Sequence, residues 1–320
     1  MSRPPQARGA RSVMEIIHAI GKLPPHPHPV VALGNFDGVH LGHRAILKAA
    51  IDRAQAVAGT AFALTFDPLP AKVLAPARAP RLILAPEDKL ELLRASGIDG
   101  VIVVEFTPAL SQLGPAEFVR DYLLGRIGAR DVVVGHSVSF GHARAGNAGV
   151  MAELGRQMGF ETIVVGPVTV EGAAVSSTRV RELIAAGEMH AVARLLGRNH
   201  FLSGTVVHGR ERGRTIGFPT ANLDSATECL PPDGVYATRV VLLDGAFASI
   251  TNIGMRPTFA EPARTIEAHI FNFDRDIYGA RVRLEIVERI RGERKFDSGQ
   301  ALVAQIAEDL KRAKEILAAA

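Results

Sequence analysis

The hydrophobic pattern of this chain changes near Gly197, and this change limits the folds it can adopt more than any other feature. Before Gly197, short apolar runs alternate with segments whose apolar residues recur at helical spacing. The runs predict strands at residues 30–33, 61–66, 101–105, 132–134 and 162–165, and the spaced segments predict helices at residues 41–57, 87–95, 115–124, 149–158 and 189–196. Strands and helices in alternation indicate a doubly wound α/β domain around a parallel sheet.

After Gly197 almost every predicted element is a strand. The strands are predicted at residues 201–207, 235–243, 246–253, 265–273 and 281–290, with a final helix from about residue 298. This spacing is typical of a small closed barrel or a sandwich. The fold class is therefore α/β followed by β, and 320 residues suffice for two cores. We predict an N-terminal extension at residues 1–27 and domains at residues 28–197 and 198–320.

Residues 34–43, Gly-Asn-Phe-Asp-Gly-Val-His-Leu-Gly-His, join the first predicted strand to the first predicted helix. Three glycines leave one side of this turn free of β-carbons; they are Gly34, Gly38 and Gly42. A phosphate can therefore approach the amide N–H groups and the helix N-terminus, whose dipole favours negative charge. His40 and His43 are three residues apart and point the same way from the helix start.

Two other interpretations of residues 34–43 stay open from these residues alone. One is a tight turn that carries two solvated histidines. The other is a zinc site, although the pair lacks the helical His-Glu-x-x-His pattern and the only thiol, Cys229, offers no cluster to complete four ligands. The chain contains neither Gly-x-Gly nor Gly-x4-Gly-Lys-Ser/Thr, so phosphates must be held in another way.

Composition limits where such a protein works. Apolar residues make up 47% and charged residues 22%, as in soluble globular proteins, and no apolar run approaches the roughly 20 residues that span a bilayer. A single cysteine and the lack of a secretory signal predict a cytoplasmic protein that does not act at a membrane. A net charge of +4 and 5% aromatic residues do not indicate a nucleic acid partner. Small anionic substrates suit the scattered Arg and His better, and self-association is left open.

The pattern at residues 34–43 resembles the nucleotide-binding motif of nucleotidylyltransferases, and it is most similar to that of the bacterial bifunctional riboflavin kinase/FAD synthetase family. That family joins an N-terminal adenylyltransferase of Rossmann type to a C-terminal kinase. The resemblance implies an FMN adenylyltransferase domain at residues 28–197 and a riboflavin kinase domain at residues 198–320. It also implies ATP binding and catalysis by the residues that match the motif, namely Gly34, Phe36, Asp37, Gly38, His40, Gly42 and His43.

Residues 176–181, Ser-Ser-Thr-Arg-Val-Arg, match the family's Ser-Ser-Thr-x-Ile-Arg signature, with Val180 in place of Ile. Ser and Thr suit a helix N-cap, and an ordinary capped helix explains this segment equally well by itself. The resemblance implies that hydroxyls, helix amides and one arginine hold the β- and γ-phosphates of ATP. The residues concerned are Ser176, Ser177, Thr178 and Arg181.

The C-terminal half carries a series of short motifs in the order found in riboflavin kinases. They are Gly204-x4-Gly209, residues 213–223, Asp233-Gly-Val-Tyr, Asn252-Ile-Gly, Arg256-Pro-Thr-Phe and Glu267-Ala-His. The alternative is a glycine-rich barrel for an unidentified ligand, which so many ordered matches disfavour. The resemblance implies a phosphate cradle at Gly204, Gly209, Gly213, Gly217 and Pro219, and flavin contacts at Asn252 and Arg256.

Phosphoryl transfer needs a divalent cation, a phosphate cradle and a base near the accepting hydroxyl. Thr220 and Asn222 offer hard neutral oxygens two residues apart, on one face of an extended segment, and such oxygens suit Mg²⁺. The resemblance makes Glu267 the base for the ribityl 5′-hydroxyl of riboflavin, although by itself it resembles a solvated strand carboxylate. Adenylyl transfer needs no base, because the FMN phosphate is already an anionic nucleophile. His40, His43 and Arg181 suit charge stabilisation there as pyrophosphate leaves.

Two stretches of the N-terminal half depart from the family pattern. Leu69 replaces the histidine of Thr-Phe-Asp-Pro-His-Pro, and residues 136–139, His-Ser-Val-Ser, replace an acid or amide and an aromatic residue. The resemblance nevertheless implies flavin contacts at Asp67, Ser137 and Phe140. The expected function is phosphorylation of riboflavin to FMN and then adenylylation of FMN to FAD. The alternative keeps only the kinase, with the N-terminal half as a flavin-binding or assembly module.

Overall fold

The computed structural model describes residues 15–18, 21–209, 218–256 and 263–319. Its contacts group the chain into two units, one ending at residue 174 and the other containing residues 81–85 and everything from residue 175. Residues 175–197 thus group with the second unit, whereas our sequence-based boundary lies after residue 197. That boundary stays a prediction.

The first unit is built on a six-stranded sheet in which every strand pair is parallel. The strands are β1 (Glu15–His18), β2 (Pro29–Leu33), β3 (Thr60–Asp67), β4 (Gly100–Glu105), β5 (Asp131–Gly135) and β6 (Glu161–Val165). Their order is β1-β4-β3-β2-β5-β6. Strands β3 and β4 are therefore added on one side of β2, and β5 and β6 on its other side, so the order of strand addition reverses between β2 and β5. The predicted doubly wound α/β sheet is confirmed, and ligands of such sheets bind outside the carboxyl ends of the strands at this reversal.

Strand β1 was not predicted, and it lies within the segment that we expected to be an extension. Its four residues, Glu-Ile-Ile-His, are too few to show a strand period, and they form a strand because they pair with β4. The prolines just before β2 and at its first residue contribute only carbonyl groups to the backbone hydrogen bonds. Pro27 accepts from the N–H of Thr60, and Pro29 accepts from the N–H of Arg130.

The helices of the first unit are α1 (Leu41–Ala56), α2 (Pro70–Leu74), α3 (Pro86–Ala95), α4 (Pro115–Phe118) and α5 (Ala148–Met158). Of these, α1 packs against β2, β3 and β5 of the sheet, α3 against β4, and α5 against β6. Helix α4 continues as a π-helix over Val119–Ile127, three residues past the predicted end. Its apolar residues Val119, Leu123 and Ile127 are buried against the strands, and Gly128 ends it at φ 72°.

The second unit begins with a helix pair and continues as a closed barrel. The helices are α6 (Ser177–Ala186) and α7 (Met189–Leu196), which follow a hairpin of β7 (Thr169–Val170) and β8 (Ala173–Ala174) in the first unit. The barrel strands are β9 (His200–Val207), β10 (Ala221–Ser225), β11 (Gly234–Leu242), β12 (Gly245–Arg256), β13 (Ala263–Ile270) and β14 (Arg281–Gly292). They close in the order β10-β13-β12-β11-β14-β9, so the predicted barrel is confirmed and the sandwich is not.

The C-terminal helix, α8 (Gly299–Ala319), packs against β11, β12 and β14. Its residues Ala313 and Ile316 join a small apolar core with Val235 and Ile250 of the barrel. Strand β10 was not predicted, because most of its residues, Ala-Asn-Leu-Asp-Ser, have low strand propensity, and it forms through pairing with β9 and β13. Within the described ranges, no helix is long and apolar enough to cross a bilayer.

His200 gives the second unit a specific dependence on pH. The ring is fully buried at the start of β9, with Nε2 3.1 Å from the carbonyl oxygen of Cys229. Burial is the largest influence and lowers the pKa of His200 from 6.5 to about 4, with the Cys229 hydrogen bond opposing and Arg198 adding to the change. The folded protein therefore keeps the ring neutral, and above pH 6.5 the unfolded chain does too, so the fold is at its most stable with respect to this group. As the pH falls from 6.5 towards 4, the unfolded chain takes up a proton that the folded protein does not, and the free energy of unfolding falls.

We expect the free energy of unfolding to fall by up to about 3 kcal/mol more in the wild type than in His200→Gln between pH 7 and pH 4. The amide of glutamine keeps a donor for the Cys229 carbonyl but cannot take up a proton. Urea titrations of both proteins at each pH give the difference directly. Parallel pH profiles for the two proteins would contradict this assignment.

Candidate active sites

The loop between β2 and α1 has an unusual backbone. Phe36 and Val39 have φ values of 51° and 39°, and Gly38 has a φ value of 90°. Positive φ is strained for an aromatic or β-branched residue, and such strain concentrates at ligand sites. The Phe36 ring is fully buried, and a β-carbon on Gly34 would lie 3.1 Å from it. A side chain at Gly34 would therefore crowd the Phe36 ring, a constraint that the sequence did not indicate.

His40 and His43 lie together at the start of α1, as the spacing predicted. Their rings stack with centroids 3.7 Å apart, and the Phe36 ring meets His43 edge-on at 5.4 Å. His40 is the N-cap, and its Nδ1 accepts a hydrogen bond from the N–H of His43 at 3.2 Å. Because Nδ1 accepts, the proton of the neutral ring is on Nε2. The pair thus combines an imidazole N–H donor with a helix N-terminus at the carboxyl end of β2.

Lys89, in the first turn of α3, is a residue that sequence reasoning missed. Its ammonium donates to Thr65 Oγ1 and to the carbonyl of Phe66, each at 3.3 Å. Thr65 Oγ1 donates in turn to the carbonyl of Asn35, the second residue of the motif, at 3.0 Å. Burial lowers the pKa of Lys89, against the attraction of Asp67 and Asp37. The available signal was a lysine in the first turn of a helix, where the dipole disfavours a cation.

The predicted flavin residues of the first unit differ in accessibility. Asp67 ends β3, and Ser137 is exposed in the loop after β5. Phe140 is buried instead, tilted against Phe118 at 6.1 Å, and a β-carbon on Gly146 would lie 2.7 Å from its ring. The rings near the ends of β3, β4 and β5 form one aromatic cluster, which consists of Phe66, Phe106, Phe118, Tyr122 and Phe140. Phe140 therefore packs in the core, and flavin contact by it stays a prediction.

The departures from the family pattern lie close to this cluster in the sequence and at the same sheet edge. Leu69 precedes α2 and is 8% exposed, and Val138 is half-buried against the apolar core. Both side chains are thus accommodated as apolar packing. Their effect on flavin binding remains a prediction.

The second signature, at residues 176–181, forms the start of α6. Ser176 is the N-cap, and its hydroxyl accepts from the N–H of Arg179 at 3.2 Å, so the capped helix is as predicted. Arg181 donates from Nε to the carbonyl of Arg81 at 2.8 Å, which fixes it to residues 81–85 of the same unit. Phosphate contacts of Ser177, Thr178 and Arg181 remain predictions.

A cleft of about 940 Å³ lies between the barrel and α8. Three of the predicted kinase residues line it: Thr220, Asn252 and Glu267. Asn222 pairs with Glu267 across β10 and β13, and Glu267 pairs with Asn252 across β13 and β12, so the three side chains form a row on one face. The remaining wall is largely apolar, with Val235, Ile250, Phe296, Leu302, Ile306 and Leu310.

A second cleft, of about 530 Å³, lies against the opposite face of β13. Thr220 lines this cleft as well as the first, whereas Glu267 lines only the first and its neighbour Ala268 only the second. Successive strand residues face opposite sides, so β13 separates the two clefts. Tyr278 lines the second cleft and stacks on His208 with ring centroids 3.7 Å apart. Thr220 is therefore a residue at which the two clefts meet.

Two predicted cradle glycines permit close approaches of the backbone. A β-carbon on Gly209 would lie 2.1 Å from Nδ2 of Asn222, and one on Gly204 would lie 2.1 Å from the carbonyl oxygen of Asp224. At Gly204 no other residue fits without movement of the backbone of β10, whereas at Gly209 the side chain of Asn222 would have to shift. Gly213 and Gly217 lie outside the described residues, as does the side chain of Arg256, the last residue of β12.

Sequence reasoning also missed an ion pair in the wall of the first cleft. Arg291 of β14 makes a bidentate contact with Asp309 of α8, with Nη2 2.7 Å from Oδ2 and Nε 3.1 Å from Oδ1. Gln305 donates to the same carboxylate at 2.8 Å. The sequence feature that could have indicated this pair is Asp309, a carboxylate on the same buried helix face as Ala313 and Ile316. This pair fixes α8 over the cleft.

Among the residues that the structure describes, no cluster of three or more His, Cys, Asp or Glu side chains is arranged to hold a metal ion.

Fold and sites together define a nucleotidylyltransferase-like α/β unit joined to a small closed barrel with two adjoining clefts. Comparison with known families gives the same division, because an FAD synthetase profile matches residues 23–179 and a riboflavin kinase profile matches residues 196–317. The chain belongs to the family of bifunctional riboflavin kinase/FMN adenylyltransferases.

Individual relatives support this membership over nearly the whole chain. The bifunctional riboflavin kinase/FMN adenylyltransferase of Escherichia coli K12 is 34% identical over 305 residues, which are 94% of this chain and 97% of the relative. The enzyme of the same description from Listeria monocytogenes is 39% identical over 285 residues, 88% of this chain and 90% of the relative. A crystal structure from Streptococcus pneumoniae, described as a macrolide-efflux protein, is 31% identical, has a TM-score of 0.84 and covers 94% of this chain and 99% of that one.

Proposed function

We propose that each unit carries one of the family's two ATP-dependent activities at its own site. The barrel unit phosphorylates riboflavin to FMN, and the α/β unit joins FMN to the adenylyl group of a second ATP to give FAD and pyrophosphate. The kinase-only alternative is not favoured, because the FAD synthetase profile matches residues 23–179 and includes the His40 and His43 motif. The cytoplasmic location remains a prediction of composition.

The single observation that carries the kinase assignment is that Thr220 borders both clefts while Glu267 borders one. ATP in the 530 Å³ cleft can then present its γ-phosphoryl group at Thr220 to riboflavin in the 940 Å³ cleft. The apolar wall of the larger cleft suits the flavin ring system. The ribityl 5′-oxygen attacks the γ-phosphorus, the bond from that phosphorus to the β,γ-bridging oxygen breaks, and Glu267 accepts the hydroxyl proton.

The donor set near Thr220 fits magnesium. The Thr220 hydroxyl and the Asn222 amide oxygen are hard, neutral ligands, and magnesium takes its remaining ligands from water and phosphate oxygens. Gly209 leaves the Asn222 amide room that a side chain would fill. When bound, the ion neutralises charge on the phosphates of ATP. Thr220 and Asn222 are the residues that would hold it.

Adenylyl transfer needs a different arrangement, which the start of α1 provides. A phosphate oxygen of FMN attacks the α-phosphorus of ATP, and the bond to the α,β-bridging oxygen breaks to release pyrophosphate. No proton has to be removed from the nucleophile. The His40 Nε2–H, the His43 ring and the α1 N-terminus supply positive potential where charge develops.

A direct test follows riboflavin plus MgATP by chromatography and reports FMN and FAD separately. FMN is expected first and FAD later, with one pyrophosphate released for each FAD. When FMN and ATP are supplied without riboflavin, pyrophosphate release is expected at once. FMN as the sole product, with no pyrophosphate from FMN and ATP, would favour the kinase-only alternative.

Thr220→Ala is expected to weaken binding of MgATP to the barrel about tenfold or more, because an oxygen ligand near the phosphates is lost. Binding of ATP without Mg²⁺ should change little. Calorimetric titrations with and without Mg²⁺ measure both affinities. Thr205→Ala, on β9 and outside both clefts, is the matched control. Equal affinities for MgATP in the two variants would contradict a ligand role for Thr220.

A further inference from the structure

Lys89 lies at a position in α3 where the helix dipole disfavours a positive charge, which points to a role outside α3. It is the fourth residue of that helix, in the turn where the dipole favours acids, and Glu87 and Asp88 occupy the same turn. A lysine placed there and half-buried needs compensating partners. Those partners lie on β3 and on the motif loop rather than on its own helix: Thr65, Phe66, Asp67 and Asp37.

From these contacts we propose that Lys89 is a positioning residue of the adenylyl-transfer site, which holds the motif loop through Thr65 and offsets the charge of Asp37 and Asp67. This inference rests on the proposed adenylyl-transfer function. Lys89 itself acts through other residues, because its two hydrogen bonds go to Thr65 and Phe66.

The hydrogen bonds run in one direction from Lys89 to the loop. Thr65 is fully buried, and its hydroxyl accepts from Lys89 while it donates to the carbonyl of Asn35. The lysine therefore sets the direction of the Thr65 proton, and the proton fixes the Asn35 peptide. Asn35 directly precedes Phe36, whose positive φ persists only if its surroundings hold it. The same loop leads to His40 and His43, so a shift at Asn35 moves the charge-stabilising groups.

The charges around Lys89 add a second effect. Asp37 is buried within the motif, and Asp67 ends β3 at the same sheet edge. The site must bring together two anions, ATP and FMN, which uncompensated carboxylates would repel. The ammonium of Lys89 is attracted by both carboxylates and so reduces this repulsion.

Four variants separate the two effects. Lys89→Met is expected to lower kcat/KM for FAD formation about a hundredfold, with a lower kcat and a raised KM for ATP. Lys89→Arg keeps the charge and should recover most of this loss. Thr65→Val breaks the relay without changing charge, so kcat should fall about tenfold while KM for ATP changes little. Thr65→Ser keeps the hydroxyl and should behave like the wild type.

Lys48→Met is the control for a lysine of the same unit, because Lys48 is exposed on α1 and pairs only with Asp52 at i,i+4 in the described contacts. It should leave both activities unchanged. FMN formation in every variant reports on the barrel unit and should stay at the wild-type rate. Thermal unfolding of each variant identifies any that fail to fold, and Thr65→Val, with Thr65→Ser as its reference, keeps the test informative if Lys89→Met is one of them.

The proposal is overturned if Lys89→Met forms FAD within about threefold of the wild-type kcat/KM, if Lys89→Arg is as impaired as Lys89→Met, or if Thr65→Val has no effect on kcat. A wild-type protein that releases no pyrophosphate from FMN and ATP would instead overturn the proposed function. If the wild type forms FAD normally and Lys89→Met is equally active, only the proposed role of Lys89 is rejected, and the proposed function stands.

Discussion

Replacement of His40 by asparagine is expected to lower FAD formation about a hundredfold or more and to leave FMN formation at the wild-type rate. His40 caps α1 through Nδ1, so alanine would also remove a cap worth about 1 kcal/mol. Asparagine is itself a favoured N-cap and keeps an acceptor for the N–H of His43. It removes the Nε2–H donor, and the expected loss therefore reports on charge stabilisation rather than on helix stability.

His43→Ala should give the same pattern, because its ring stacks on His40 at the same helix start. The measurement is the rate of FAD formation from FMN and ATP, with FMN formation from riboflavin in the same preparation as the internal reference. His142→Asn provides a control at an exposed histidine of the same unit, whose Nδ1 lies 3.1 Å from the carbonyl of Ser111. If both activities fell together in a folded His40→Asn protein, the assignment of separate sites would be wrong.

Glu267→Gln is expected to lower FMN formation by about 10² to 10⁴, because it removes the proposed proton acceptor in the wall of the larger cleft. Glutamine keeps the size of the side chain and its place in the row with Asn222 and Asn252. Affinities for riboflavin and MgATP should therefore change little. FAD formation from supplied FMN should be unaffected, since that reaction belongs to the other unit.

Steady-state rates give the loss, and fluorescence titration of riboflavin separates turnover from binding. Glu285→Gln is the matched control, because Glu285 lies on barrel strand β14, which does not pair with β13, and lines neither cleft. Turnover of Glu267→Gln close to that of the control would reduce Glu267 to a structural carboxylate. A raised KM for riboflavin at unchanged kcat would give it a binding role instead.

The sequence was sufficient where structure follows from local pattern. The strand and helix alternation predicted the parallel sheet, and the strand spacing after Gly197 predicted the barrel, because both depend on periods of two or 3.6 residues. The stacking of His40 on His43 follows from their separation of three residues at a helix start. Strands β1 and β10 were missed because β1 has only two apolar residues and β10 consists mainly of residue types of low strand propensity.

Family resemblance located residues that pattern alone could not connect. Asn222, Asn252 and Glu267 lie far apart in the chain, and only the pairing register of β10, β13 and β12 brings them into one row. Phe140 was expected at the flavin from its motif, and the structure adds that its ring packs in the core beside Phe118, so its contact with flavin stays a prediction. A motif gives the identity of a residue, whereas burial decides which of its faces a ligand can reach.

By itself, the sequence determined the two-part fold class and the helix start that carries His40 and His43, because these follow from hydrophobic periods and residue spacings over short stretches of chain. Only the tertiary structure decided the contacts of Lys89, which join residues 24 and 30 positions apart through Thr65, and the Arg291–Asp309 pair between β14 and α8. It also decided that Thr220 borders two clefts. Such features depend on which distant segments pack together, and local hydrophobic periodicity carries no information about that packing.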